Sequence, residues 1–86
     1  MTTNEIKDRI KLIMNKSWFD LDREDGNMMI YSTRRHGNAG NEITGVEDLR
    51  EALRLKTELI LLRGWTDVDI EEVDEWVFIN IELTPD

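Results

Sequence analysis

Two stretches of the chain carry apolar residues at helical spacing. Over residues 3–16, Ile6, Ile10 and Ile13 recur every three or four positions and predict an amphipathic helix. Residues 45–63 predict a second, longer helix with a broad apolar stripe. The residues expected to face the core from this second helix are Val46, Leu49, Leu53 and Ile60, with Ala52, Leu55 and Leu59 beside them.

Each predicted helix is followed by two stretches that alternate apolar and polar residues, which is the period of a β-strand. Residues 18–34 predict a hairpin that turns at residues 25–27, Asp-Gly-Asn, because glycine and asparagine tolerate the positive φ of a tight turn. Residues 66–73 and 76–83 predict a second hairpin around residues 74–75, Asp-Glu.

The last predicted strand divides its side chains most clearly between two faces. Its inward-facing residues are expected to be Val77, Ile79, Ile81 and Leu83. Trp76 and Phe78 then point to the opposite face. The neighbouring strand would add either Met28 and Ile30 or Met29 and Tyr31 to that face. Because exposed aromatic and methionine side chains are typical of interfaces, Trp76 and Phe78 are candidate partner-binding residues.

The order helix, hairpin, helix, hairpin predicts an α+β fold, a two-layer α/β sandwich with the order α-β-β-α-β-β. A four-stranded, mainly antiparallel sheet would carry both helices on one face. The order resembles a ferredoxin-like chain, circularly permuted so that its first strand stands at the end. This topology places strands 28–34 and 76–83 in the centre and strands 18–24 and 66–73 at the edges.

The two halves of the chain also share a sequence pattern. Residues 18–25, WFDLDRED, align with residues 65–72, WTDVDIEE, at an offset of 47 residues. We expect a single domain, residues 1–86, built from two α-β-β units over residues 3–34 and 45–83. The likeness reflects either an internal repeat or a chance similarity of two amphipathic halves.

The net charge of −8 narrows the choice of partners. Residues 64–86 contain eight carboxylates and no lysine or arginine, so the first 63 residues sum to zero. An acidic surface attracts basic partners and repels phosphates, and nucleic acid is therefore not the expected partner. The chain has no cysteine, no membrane-length apolar run and no start typical of a signal peptide. We expect a cytoplasmic protein away from membranes.

Acidic residues alternate along both predicted edge strands, and each set of three is expected to share one face of its strand. They are Asp20, Asp22 and Glu24 on the first edge and Asp67, Asp69 and Glu71 on the second. Charged edges prevent aggregation between sheets, and the same carboxylates are candidate contacts for a basic partner. Alternate positions on a strand lie about 7 Å apart, too far for one strand to surround an ion, so we predict no metal site and no cofactor.

The connection over residues 34–43 contains Arg34, Arg35 and the only histidine, His36, among glycines and asparagines. Guanidinium groups and backbone amides could hold an anion there. The segment matches neither a P-loop nor the dinucleotide-binding glycine motif, and a solvated connector is the simpler interpretation.

The leading hypothesis is a small, acidic, non-enzymatic protein-binding or regulatory protein, an inhibitor or adaptor of the kind that phages encode. It would act on a protein partner, or on a second copy of itself, through an acidic edge and an aromatic sheet face. One alternative is a nucleic-acid or nucleotide binder that uses Arg34, Arg35 and His36. The other is a small metal-dependent enzyme that uses the clustered carboxylates. We predict no catalytic residues, because the sequence carries no nucleophile motif.

Overall fold

The computed structural model describes residues 2–34, 44–62 and 65–84. Along these residues, helices and strands follow one another in the expected order. They are α1 (Thr3–Met14), β1 (Asp20–Asp25), β2 (Met28–Arg34), α2 (Thr44–Ile60), β3 (Thr66–Val73) and β4 (Trp76–Leu83). The predicted α+β fold is confirmed. No helix in these ranges is long and apolar enough to cross a membrane.

The sheet has the strand order β1-β2-β4-β3, and all its neighbouring pairs are antiparallel. β2 and β4 lie in the centre and β1 and β3 at the edges, as the permuted ferredoxin-like arrangement predicts. The order is symmetric about the boundary between β2 and β4, where Tyr31 lies opposite Ile79. Each α-β-β half thus supplies one helix, one edge strand and one central strand.

Local hydrogen bonds define both ends of α1. Thr2 forms a capping box, in which its hydroxyl accepts from the backbone N–H of Glu5 (3.2 Å) and the Glu5 carboxylate accepts from the backbone N–H of Thr2 (3.4 Å). Beyond the helix, the Ser17 hydroxyl donates to the carbonyl of Met14 (2.8 Å) and accepts from the backbone N–H of Phe19 (3.1 Å). Phe19, which follows this turn, lies in the core.

The core fills the space between the two helices and one face of the sheet. Its buried side chains come from the helices, the central strands and the segment that precedes β1. They are Ile6, Ile10, Met14, Phe19, Met29, Tyr31, Ala52, Leu55, Leu59, Val77, Ile79, Ile81 and Leu83. Burial of each large aliphatic side chain stabilises the fold by roughly 1.5–3 kcal/mol. On β4, alternate residues face inward, as the sequence predicts.

The orientation of α2 differs from the prediction. Leu53 and Ile60, expected in the core, are 57% and 50% exposed. Ala52, Leu55 and Leu59 are fully buried instead, Leu49 is half-buried, and the side chain of Val46 lies outside the described residues. Asp48 is also fully buried on the inner side of the helix. Hydrophobicity alone places Leu53 and Ile60 in the core, because a carboxylate at an inner position shifts the apparent centre of the apolar stripe.

Both hairpins close with two residues, 26–27 between β1 and β2 and 74–75 between β3 and β4. The first residue of each turn has a positive φ, which is 57° at Gly26 and 52° at Asp74. Gly26 adopts this conformation without strain, because it has no Cβ. A left-handed conformation costs most residues about 1–2 kcal/mol, although aspartate tolerates it better than most.

Candidate partner-binding face

The face of the sheet away from the helices, here called the open face, presents a pair of aromatic rings. Trp76 and Phe78 project from β4 on the side opposite buried Val77 and Ile79. Trp76 is 39% exposed, and its ring stacks on Phe78 with the centroids 6.5 Å apart and an interplanar angle of 29°. The two rings therefore form one continuous aromatic surface.

β2 continues this surface across the centre of the sheet. Ser32 lies opposite Phe78, and Ile30 lies opposite Asn80. At the far end Met28, which is 44% exposed, lies opposite Glu82. β2 therefore presents Met28 and Ile30 on the open face, which is one of the two orientations that the sequence allowed. We call Trp76, Phe78, Ile30 and Met28 the aromatic strip.

The edge strand β3 lines one side of the aromatic strip with carboxylates. Asp67, Asp69 and Glu71 lie opposite Glu82, Asn80 and Phe78 of β4, and all three are exposed. The amide of Asn80 donates to the Glu71 carboxylate (3.3 Å). We call Asp67, Asp69, Glu71 and Glu82 the acidic rim. A shallow hollow of about 480 Å³ lies on the open face. It is lined by three of these carboxylates, Asp67, Asp69 and Glu82, together with Met28 and Asn80.

The prediction that Asp20, Asp22 and Glu24 share one face of the opposite edge strand is wrong. β1 pairs Leu21 with Tyr31 and then Arg23 with Ile30, so the register shifts by one residue at Asp22. After this bulge, Glu24 lies opposite buried Met29 and faces the helices. Asp20 lies opposite Ser32, before the shift.

Glu24 instead joins the edge of the sheet to α1. Its carboxylate oxygens lie 3.4 Å from Nζ of Lys7 and 3.3 Å from Nζ of Lys11. The hydrogen bond from Lys11 is the main cause that lowers the pKa of Glu24 below its ordinary value. The pKa of the neighbouring Tyr31 is raised, first by burial and then by the charge of Glu24. Glu24 therefore joins the edge of the sheet to α1 and does not lie on the open face.

Arg34 is already engaged by a carboxylate. Its Nη2 lies 2.9 Å from Oε2 of Glu75, in the turn between β3 and β4, and both side chains are exposed. This ion pair lies next to Trp76, which is opposite Arg34 in the sheet. Arg35 and His36, the other candidates for anion binding, lie outside the described residues.

The carboxylates of the open face are spread along the surface. In the described parts of the chain, no three aspartate, glutamate or histidine side chains come close enough to hold a metal ion. Comparisons with protein-family models, with curated proteins and with solved structures find no match for this chain. The open face itself is therefore the basis for a functional proposal.

The sequence predicts two further members of this surface, Asn80 and Glu82, which flank Trp76 and Phe78 on the outward side of the last strand. Both alternate with the buried residues of β4, and this period identifies them. What the sequence could not supply was the cross-strand register, which sets Glu82 opposite Asp67 and Asn80 opposite Asp69.

Proposed function

We propose that this protein is a small, non-enzymatic regulatory protein that binds a basic protein partner through its open face, as an inhibitor or adaptor. The observation that carries the proposal is the stacked pair of exposed Trp76 and half-buried Phe78 beside the acidic rim. Aromatic residues that are rigid before binding lose little conformational entropy and are frequent energetic anchors of interfaces.

The charges favour a basic partner over a second copy. Asp67, Asp69, Glu71 and Glu82 lie on one side of the aromatic strip, and the chain as a whole carries −8. Such a field accelerates the approach of a positively charged surface and disfavours the approach of another acidic molecule. The aromatic strip would then supply affinity, and the rim would supply orientation and specificity.

The shape of the site favours binding over catalysis. The rim carboxylates are exposed on the outer surface of a sheet, next to a shallow hollow. General acid–base catalysis usually depends on a carboxylate that is partly withdrawn from water in a cleft. A flat, mixed aromatic and acidic surface is typical of protein recognition.

Affinity capture from the native host with quantitative mass spectrometry tests the proposal. The test variant carries Trp76→Ser and Phe78→Ser, and the control carries Leu12→Ser and Leu61→Ser. The control side chains are 66% and 73% exposed on the helical side of the molecule. The wild type and the control should recover the same basic protein, and the test variant should lose it.

The captured protein is then purified, and its affinity is measured by calorimetry at increasing salt. We expect weaker binding at higher ionic strength, because salt screens exposed charges beyond about 8–10 Å. Equal recovery and equal affinity with the Trp76 and Phe78 variant would disprove the proposal. Circular dichroism establishes that the variants compared are folded.

A further inference from the structure

The two edges of the sheet differ in how well they can accept another strand. β1 is interrupted by the register shift between Leu21 and Arg23, and bulges of this kind protect edges from pairing. β3 pairs with β4 over its whole length, from Thr66 opposite Leu83 to Val73 opposite Trp76, without a shift. In the described part of the chain, no strand lies on the outer side of β3. Its outer backbone groups form a regular template for a further strand.

The side chains of β3 give that template two chemically different faces. Asp67, Asp69 and Glu71 are exposed on the open face. Val68 and Ile70, on the helical face, are half-buried and pack against the core. Between Asp67 and Glu71, a strand added beside β3 would therefore meet carboxylates on the open face and aliphatic side chains on the helical face. Beyond this stretch, Glu72 lies on the helical face and Val73 on the open face.

We infer that β3 is an acceptor for a partner segment in extended conformation, with lysine or arginine at alternate positions and aliphatic residues between them. Its basic side chains would pair with Asp67, Asp69 and Glu71, while its aliphatic side chains would cover Val68 and Ile70. Main-chain hydrogen bonds to β3 supply the affinity in this mode of recognition, and the alternating side chains supply the specificity. The inference rests on the proposed binding of a basic protein and identifies the structure that the partner presents.

A second copy of the chain does not fit this edge. An antiparallel pair of β3 strands centred on Asp69 sets Asp69 opposite its own equivalent and Asp67 opposite Glu71. Any other register that keeps the aliphatic residues together also sets carboxylates against carboxylates. Like charges directly opposite each other destabilise a strand pair. The acidic face of β3 thus excludes self-pairing and selects a basic strand.

The test uses an acetylated peptide of roughly seven residues that alternates lysine with valine or isoleucine, a length that spans most of β3. Two control peptides carry the same charge: one has alternate backbone amides N-methylated, and the other has its lysines grouped at one end. Binding is followed by amide chemical shifts and hydrogen exchange of the labelled full-length protein. We expect protection of the alternate amides of residues 66–73 that point outward from β3. Both controls should bind at least about tenfold more weakly, because each lacks one element of strand addition.

Two protein variants separate this inference from the proposed function. Asp69→Lys should weaken the alternating peptide about tenfold or more, since it replaces attraction by repulsion at the middle of the edge. Trp76→Ser with Phe78→Ser should change the peptide affinity by less than about twofold, because those side chains lie on β4, one strand inward from the edge strand that the peptide joins. Equal binding of the N-methylated peptide, or changes centred on Trp76 or on β1, would overturn the edge inference. Neither result would bear on the aromatic strip as a partner-binding site, which affinity capture tests separately.

Discussion

The indole N–H of Trp18 donates a hydrogen bond of 2.7 Å to Oδ1 of Asp48, a carboxylate that is fully buried. The bond joins the beginning of the first hairpin to the inner side of α2, across 30 residues of sequence. A hydrogen bond that involves a charged group stabilises a fold more than a bond between neutral groups. This contact therefore helps to set the rotation of α2 on the sheet.

Trp18→Phe should destabilise the protein by about 1.5–3 kcal/mol, the usual contribution of a hydrogen bond to a charged group. The change keeps an aromatic ring and removes the donor to Asp48. Chemical denaturation followed by circular dichroism measures the difference. Trp76→Phe is the matched control, because Trp76 lies on the open face, and its effect should stay within about 0.5 kcal/mol. Equal effects of the two changes would mean that the Trp18–Asp48 bond contributes nothing to stability.

A pair of leucines in α2 tests which side of the helix faces the core. Leu55 is fully buried and Leu53 is 57% exposed. Leu55→Ala should cost about 2–5 kcal/mol, because it removes buried methyl groups and leaves a cavity. Leu53→Ala should cost less than about 1 kcal/mol, because alanine is also the better helix former. The reverse order in urea denaturation would show that the helix is rotated as the hydrophobic pattern alone predicted.

The sequence predicted the parts of the fold that depend on regular alternation over many residues. β4 alternates without interruption from Trp76 to Leu83, so its two faces, and with them Trp76 and Phe78, could be assigned from the sequence. The permuted ferredoxin-like topology placed β1 and β3 at the edges. In the structure, neither strand contributes a fully buried apolar residue to the core.

Two features could not be predicted, because each depends on a contact between distant residues. Glu24 faces the helices because one extra residue enters β1 at Asp22, and a shift of one position exchanges the faces of every later side chain. α2 is rotated because Asp48, which local hydrophobicity assigns to the surface, is buried beneath Trp18. Neither the bulge nor the hydrogen bond leaves a periodic trace in the sequence.

The ion pairs of Glu24 with Lys7 and Lys11 should make stability depend on pH on the acid side. Because the pKa of Glu24 is lowered in the folded state, its ionised carboxylate stabilises the fold above its ordinary value of 4.5. That contribution is lost as the pH falls through the lowered value. Glu24→Gln should therefore be less stable than the wild type at pH 7, and the difference should shrink towards zero in strong acid.

Urea denaturation between pH 2 and pH 7 measures this dependence. A variant with Lys7→Met and Lys11→Met provides the control, since Glu24→Gln should have little further effect once both ammonium groups are absent. High salt should also reduce the difference, because these groups are partly exposed to solvent. A difference that persists unchanged at the lowest pH would show that Glu24 acts through packing and not through its charge.

The two hairpin turns should respond in opposite ways to glycine. Gly26→Ala should destabilise the protein by about 1 kcal/mol, because alanine must adopt a left-handed conformation at φ 57°. Nothing lies within 4 Å of the Cβ that alanine would add, so conformation alone determines this effect. Asp74→Gly should be neutral or stabilising by up to about 1 kcal/mol, since it relieves the same strain. Thermal denaturation compares the two variants, and a stable Gly26→Ala protein would contradict the assigned turn.

The acidic rim contains a repulsive pair whose removal should improve stability and weaken binding. Asp67 of β3 lies directly opposite Glu82 of β4, and both carboxylates are exposed. Asp67→Lys replaces a like-charged pair by an ion pair and should stabilise the fold by about 0.2–1 kcal/mol. Lysine also protects the edge of a sheet from aggregation, so the variant should sediment as the wild type does.

The same variant distinguishes the two roles of the rim carboxylates. If they only protect the edge, Asp67→Lys should bind the captured basic partner as well as the wild type does. If they contact that partner, the affinity should fall about tenfold or more, which corresponds to about 1.4 kcal/mol. Asp67→Asn removes the charge without reversing it and should give an intermediate affinity. We expect the loss of binding, because Asp67 lies beside the aromatic strip, where a partner that covers Phe78 and Met28 would also meet the carboxylate.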